Sequence, residues 1–162
     1  MANLYLMCGV PGSGKSTWIK NHLGDATYVS RDVIRFNLLE EGDEYFSKED
    51  EVWAEFIRRI NESLELGFNV FVDATHISRG SRRKILKEVK FNPTLIAIYM
   101  DTPFEICLER NAKRTGRECV PEGAIRNMYK HFEEPEFYEG FSIIYKVKPD
   151  NKIEIYRREV DL

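Results

Sequence analysis

The sequence predicts an α/β fold, a three-layer sandwich in which helices cover both faces of a mostly parallel central sheet. Three observations carry this expectation. Short apolar runs alternate with amphipathic helical patterns along the chain. Thr94–Met100 is almost wholly apolar, as a parallel strand covered on both faces must be. The stretch Gly9-Val10-Pro11-Gly12-Ser13-Gly14-Lys15-Ser16-Thr17 fits G-x-x-x-x-G-K-[ST]. It lies between an apolar strand, Leu4–Cys8, and a segment that can open a helix, Thr17–Leu23.

This motif has a definite physics. Its glycines allow backbone turns that a side chain forbids. The loop N–H groups of Gly12, Ser13, Gly14, Lys15, Ser16 and Thr17 then point at phosphate oxygens, at the positive end of a helix. Lys15 reaches the outer phosphates and the Ser16 hydroxyl is placed for Mg²⁺. ATP and Mg²⁺ are therefore the expected cofactors.

The remaining elements follow in order. Thr27–Ser30 reads as a short strand running into a helix that starts at Arg31-Asp32. Glu40–Phe46 is an acidic loop, and Ser47 is the expected N-cap of the next helix. Val52, Trp53, Phe56, Ile57, Ile60 and Leu64 recur at helical spacing as a core stripe, and Gly67 ends that helix. Asn69–Asp73 is a buried strand, and Ser78 or Ser81 caps a basic helix reaching about Val89. Pro103 suits the first turn of a helix that frays into the basic Arg110–Cys119 segment. Pro121 starts another helix, Glu133–Gly140 is an acidic loop, and two strands, Ser142–Val147 and Lys152–Tyr156, close the chain, the last pair antiparallel or an edge addition.

One domain over residues 1–162, with a lid at about 110–120, is the expected organisation. No apolar run approaches the ~20 residues of a membrane span, and the N-terminus does not read as a signal peptide. Cys8, Cys107 and Cys119 are odd in number and fit no zinc spacing, which predicts a reducing cytoplasm. The net charge of −3 argues against a large nucleic-acid footprint. The charge is uneven, however. Residues 40–51 carry seven acids and one lysine, and residues 76–90 carry six Arg or Lys and one Glu. The second stretch is either a solvated helix face or a nucleic-acid channel wall. Arg110, Lys113, Arg114 and Arg117 form another basic run, placed where a lid contacts phosphate.

In an open α/β sheet the ligand sits at the carboxyl ends of the strands. Ser30-Arg31-Asp32, Asp73-Ala74-Thr75-His76 and Met100-Asp101 all fall there. Asp73 is placed either to hold Mg²⁺ beside Ser16 or to cap a turn. Asp32 either accepts the proton of an acceptor hydroxyl or caps its helix. Arg31 and Arg35 flank it, as surface ion pairs or as a fork for a substrate phosphate. A lid carrying Arg110 and Arg114 would neutralise charge on a phosphoryl group in transfer and exclude water. That device suits a P-loop NTPase of the kinase type.

Four blocks occur in one order: the P-loop with Trp18, Arg31-Asp32-x-x-Arg35, Asp73-Ala74-Thr75-His76 with Arg82-Arg83, and Arg110-Asn111-x-Lys113-Arg114 with Val120-Pro121 and Met128-Tyr129-Lys130. Over about residues 4–132 the chain resembles the 5′-hydroxyl polynucleotide kinase domain of phage and bacterial end-repair enzymes, within the zeta-toxin-like P-loop kinases. The resemblance implies that Asp32 is the general base on a substrate 5′-hydroxyl. It implies that Arg35 grips the phosphate 3′ to that nucleoside, and that Arg114 contacts the transferred phosphate. Lys15 and Ser16 keep their loop roles, and Thr75 joins Arg31 and Arg35 as substrate-binding. The chain departs from some relatives in placing Asp73 before Ala74 rather than directly before the threonine. At 162 residues the chain is expected to carry no phosphatase or ligase domain of the kind many relatives have.

The expected activity is ATP-dependent phosphoryl transfer to a hydroxyl, with a DNA or RNA 5′ end as first acceptor. A small-molecule kinase acting on a nucleoside, sugar or nucleotide sugar is the alternative. A nucleotide-dependent binding module is a third reading, against which Asp32 and Arg114 both argue. No membrane partner is expected, and an oligomer is allowed.

Overall fold

A computed structural model describes residues 1–159, the side chain of Arg117 excepted. Arg117 of the expected lid therefore lies outside the described side chains. The chain runs β1 (Asn3–Cys8), α1 (Lys15–His22), β2 (Thr27–Ser30), α2 (Arg31–Leu38), α3 (Glu49–Glu65), β3 (Val70–Asp73), α4 (Arg79–Leu86) and β4 (Thr94–Met100). It continues through α5 (Phe104–Ala112), α6 (Glu122–Lys130), β5 (Ile143–Val147) and β6 (Ile153–Arg157).

The strands form one sheet in the order β2-β3-β1-β4-β5-β6. The first five run parallel and β6 turns back antiparallel on β5. The two-residue period of β1 divides its side chains between two cores. Leu4, Leu6 and Cys8 enter one with Val52, Phe56 and Ile60 of α3. Met7 enters the other with Trp18 and Ile19 of α1 and Phe71 and Ile98 of the flanking strands. Helices thus cover both faces, as expected.

Helix ends show where local signals compete. Ser47 is not the cap of α3: the helix begins at Glu49 behind Lys48, and the Ser47 hydroxyl donates to the Glu44 carbonyl at 2.7 Å. That turn satisfies the serine before the helix starts. Glu49, Asp50 and Glu51 crowd the positive end of α3 instead. Gly67, at φ 84°, ends α3, with its N–H on Leu64 and that of Phe68 on Ser63. Ser78 caps α4, closed reciprocally by Ser81, and that helix stops at Leu86, short of Val89.

The basic helix α4 is not a free cationic face. Arg82 is 0% exposed. Its Nε donates to Glu139 at 2.8 Å and its Nη1 to the His76 carbonyl at 2.8 Å. Arg79 pairs with Glu133 and Glu136, and the Lys84 ammonium lies 4.7 Å from the centre of the Trp53 ring. Two of the six cations of this stretch, Arg79 and Arg82, brace the helix against the acidic 133–140 loop, part of which winds into a 3₁₀ turn at Phe137–Glu139.

Candidate active site

The order β3-β1-β4 places the chain reversal at β1, so the loop after β1 opens at the switch point of the sheet. Gly12 and Gly14 take φ of 82° and 102°, and a Cβ on Gly12 would run into the Cys107 carbonyl. The loop is held from outside its own sequence. Thr102 Oγ1 donates to the Ser13 carbonyl at 2.7 Å, and Arg110 Nη1 to that of Gly12 at 3.4 Å. The Gly9 N–H donates to Thr75 at the end of β3. Lys15 folds back, its ammonium donating to the carbonyls of Gly9 and Val10, each at 3.0 Å. Burial pushes its pKa down; Arg114 adds to that and Asp73 opposes it.

Two clefts meet at this loop. One, of about 550 Å³, runs along Gly12–Trp18 and is walled by Arg110 and the β5–β6 turn, including Lys148, Pro149 and Asn151. The Trp18 and His22 rings stack at its floor, 3.6 Å apart. The other, of about 350 Å³, gathers Tyr28, Asp32, Tyr45, Asp73, Thr75 and Glu118 around the opposite flank. Lys15, Ser16 and Arg114 line both.

The carboxylates of the second cleft are held by partners distant in sequence. Asp73 is buried and accepts from the Tyr28 hydroxyl at 2.7 Å. Burial first, and then the Asp73 charge, push the Tyr28 pKa up to about 12, so the phenol remains a donor. The caps of α2 and α4 are Ser30 and Ser78, so neither Asp32 nor Asp73 is a helix cap. The Asp32 side chain is 61% exposed and accepts from Arg35 Nη1, and from the Tyr45 hydroxyl at 3.2 Å. Arg35, by contrast, is buried beneath Tyr45 and joined to Glu49.

The loop and Asp73 fit a Mg²⁺–nucleotide. Among the described residues no three His, Cys, Asp or Glu converge as a cage. One exposed serine hydroxyl beside one strand-end carboxylate suits an ion that keeps waters and takes its other ligands from phosphates. Ser16 and Asp73 offer such a pair.

Lys15, Ser16, Asp32, Asp73, Thr75 and Arg114 thus converge, and Arg110 joins them from α5. Arg31 and Arg35 stand behind Asp32 rather than in the cleft. Sequence reasoning missed Tyr28, Tyr45 and Glu49, whose partners lie 13 to 45 residues away, beyond any periodic signal. The last strands both complete the sheet and, through the turn between them, line the first cleft.

This loop and sheet order define a P-loop NTPase fold of the kinase type. Residues 4–135 match the family model described as AAA domain, and the chain belongs to that family. It is 26% identical over 166 residues to the transcription factor bHLH140 of Arabidopsis thaliana. It is 28% identical over 152 residues to a putative bifunctional polynucleotide kinase/RNA ligase of Autographa californica nuclear polyhedrosis virus. These matches cover 94% and 85% of this chain but only 17% and 22% of the relatives, so the chain spans about a fifth of their length. In fold it is similar to a chain of the Pnkp1/Rnl/Hen1 RNA repair complex, with TM-score 0.72, 24% identity, and coverage of 80% of this chain and 43% of that one. It is also similar to a sugar kinase from Janibacter sp. HTCC2649, with TM-score 0.65, 17% identity, and coverage of 91% and 86%. Among the described residues no helix is long and apolar enough to cross a membrane.

Proposed function

We propose that the protein transfers the γ-phosphoryl group of ATP to a hydroxyl, the 5′-hydroxyl of a DNA or RNA end being the leading acceptor. One observation carries this reading: Lys15, Ser16 and Arg114 line both clefts, with Asp32 on the wall of the second. A nucleotide in the first cleft would present its terminal phosphate at that junction. The acceptor oxygen attacks phosphorus, its proton passes to Asp32, and the bond to the ADP oxygen breaks. Arg35 and Tyr45 orient Asp32 for this. Lys15 turns from the loop carbonyls to the phosphates, and Arg110 and Arg114 offset the charge that develops. Ser16 and Asp73 would hold Mg²⁺, which neutralises phosphate oxygens when bound. The likeness to the viral polynucleotide kinase/RNA ligase supports a nucleic-acid end, and the three free cysteines suit a reducing cytoplasm.

A small-molecule acceptor is the second reading. The ion pairing of Arg31 and Arg35 with Glu49 favours it, as does near full-length similarity to a sugar kinase.

The test is transfer of labelled γ-phosphate to a short 5′-hydroxyl oligonucleotide, wild type beside Asp32→Ala. Label with the wild type, reduced about 10²–10⁴-fold in the variant, is expected. No label on DNA or RNA, with ATP consumed when nucleosides and sugars are supplied, would transfer the assignment to the second reading.

A further inference from the structure

Arg31 and Arg35 flank the candidate base in sequence, and one carboxylate, that of Glu49, pairs with both. Arg35 Nε donates to Glu49 Oε1 at 2.5 Å and its Nη2 to Oε2 at 3.0 Å. Arg31 Nη2 donates to the same Oε2 at 3.2 Å. The remaining Arg35 nitrogen, Nη1, serves Asp32 and the Tyr45 hydroxyl. Two positive charges thus face two negative ones, Asp32 and Glu49. The two-point carboxylate fork on Arg35 has the geometry that two phosphate oxygens would take.

Burial makes this arrangement hard to exchange. The Arg35 side chain is 6% exposed, and the Tyr45 and Phe46 rings cover it at 4.7 and 5.6 Å. Breaking a buried pair leaves an uncompensated charge. Glu49 itself sits on the first turn of the 17-residue helix α3, not on a free loop.

The acceptor cleft shows the result. Among the described residues its cations are Lys15 and Arg114, both at the junction where the transferred phosphoryl would lie. Its acids are Asp32, Asp73 and Glu118. Away from the junction it offers Phe36 and Tyr45, ring surfaces that suit an uncharged, flat or sugar-like group.

We infer that Glu49 makes the acceptor site blind to phosphate: it occupies the arginine pair and selects acceptors by the ring and hydroxyl they present. This rests on the kinase reading above and narrows its acceptor class. A nucleic-acid end would be held by its terminal nucleoside, and a free nucleoside would serve nearly as well.

The experiment compares kcat/KM for a nucleoside and for its 3′-monophosphate, with wild type, Glu49→Gln and the double variant Arg35→Gln/Glu49→Gln. The wild type should use the 3′-monophosphate no better than the nucleoside. Glu49→Gln should shift the preference toward the 3′-monophosphate by at least about tenfold, mainly through KM, and the double variant should abolish the shift. A wild type that already prefers the 3′-monophosphate about tenfold would show Glu49 to be a displaceable stand-in for phosphate and overturn the inference. An unmoved preference in Glu49→Gln, with its melting curve retained, would overturn it too. If neither compound is phosphorylated, the nucleoside acceptor is wrong, and the filter is read separately by calorimetric titration of inorganic phosphate into the ADP-loaded protein. Binding to Glu49→Gln but not to wild type supports the filter; equal behaviour of the two rejects it.

Discussion

Residues 79–90 and 110–114 carry basic side chains at similar density, yet the fold uses them in opposite ways. In the first stretch Arg82 is sealed between α4 and the 133–140 loop, joined to Glu139 and to the His76 carbonyl. In the second, Arg110 and Arg114 are exposed and face the nucleotide cleft. What separates them is the supply of acids. Glu133, Glu136 and Glu139 lie against α4 and take up Arg79 and Arg82. Arg110 and Arg114 have a backbone carbonyl and open clefts before them. Charge density along a chain therefore says little about a binding face until the partners are known.

Four substitutions sharpen this contrast. The largest effect should come from Arg82→Ala, which leaves Glu139 buried and unpaired. A loss of about 3–5 kcal/mol is expected in urea unfolding, while Arg83→Ala, on the outer face of the same helix, should change stability by less than about 0.5 kcal/mol. Equal effects would mean that the brace is not where the stability lies.

Next in size, Arg114→Ala should lower kcat for phosphoryl transfer about 10²–10³-fold with the melting temperature unchanged. A variant that loses stability but keeps its turnover would assign the lid arginine to the structural group with Arg82.

A third effect, absent at neutral pH and growing with acid, concerns His76, whose carbonyl receives Arg82. Its Nδ1 donates to the Met7 carbonyl at 2.6 Å and its Nε2 is buried without a partner. Burial pushes its pKa down to about 3, from 6.5. The unfolded chain therefore binds a proton at a pH where the folded one does not. Stability is held above pH 6.5 and falls by about 1.4 kcal/mol per pH unit below it, until about pH 3. His76→Asn should flatten that slope in urea melts between pH 6.5 and 4.5, and asparagine tolerates the local φ of 45°. An unchanged slope would place the acid sensitivity elsewhere.

The donor half of the site was legible because it is local. The loop from Gly9 to Thr17, the strand before it and the helix after it are consecutive, and their function lies largely in the backbone. The apolar Thr94–Met100 run was legible for the same reason, one strand covered on both faces. The acceptor half resisted because side chains decide it. Ser30 and Asp32 are both good caps, and only the Val33 N–H, which chooses Ser30, separates them. Glu49 reads as one more acid in an acidic run, yet it meets Arg35 across 14 residues. Arg82 finds Glu139 across 57 residues. Nothing in local spacing distinguishes it from Arg83 beside it.

If the two clefts hold the proposed nucleotide and acceptor, their common wall of Lys15, Ser16 and Arg114 couples the two ligands. Whatever one occupant does to the position of these three groups, the other meets on arrival. By linkage the factor by which nucleotide alters acceptor affinity equals the factor by which acceptor alters nucleotide affinity. Neither dissociation constant is then a property of its cleft alone, and the state that matters for turnover is the doubly occupied one.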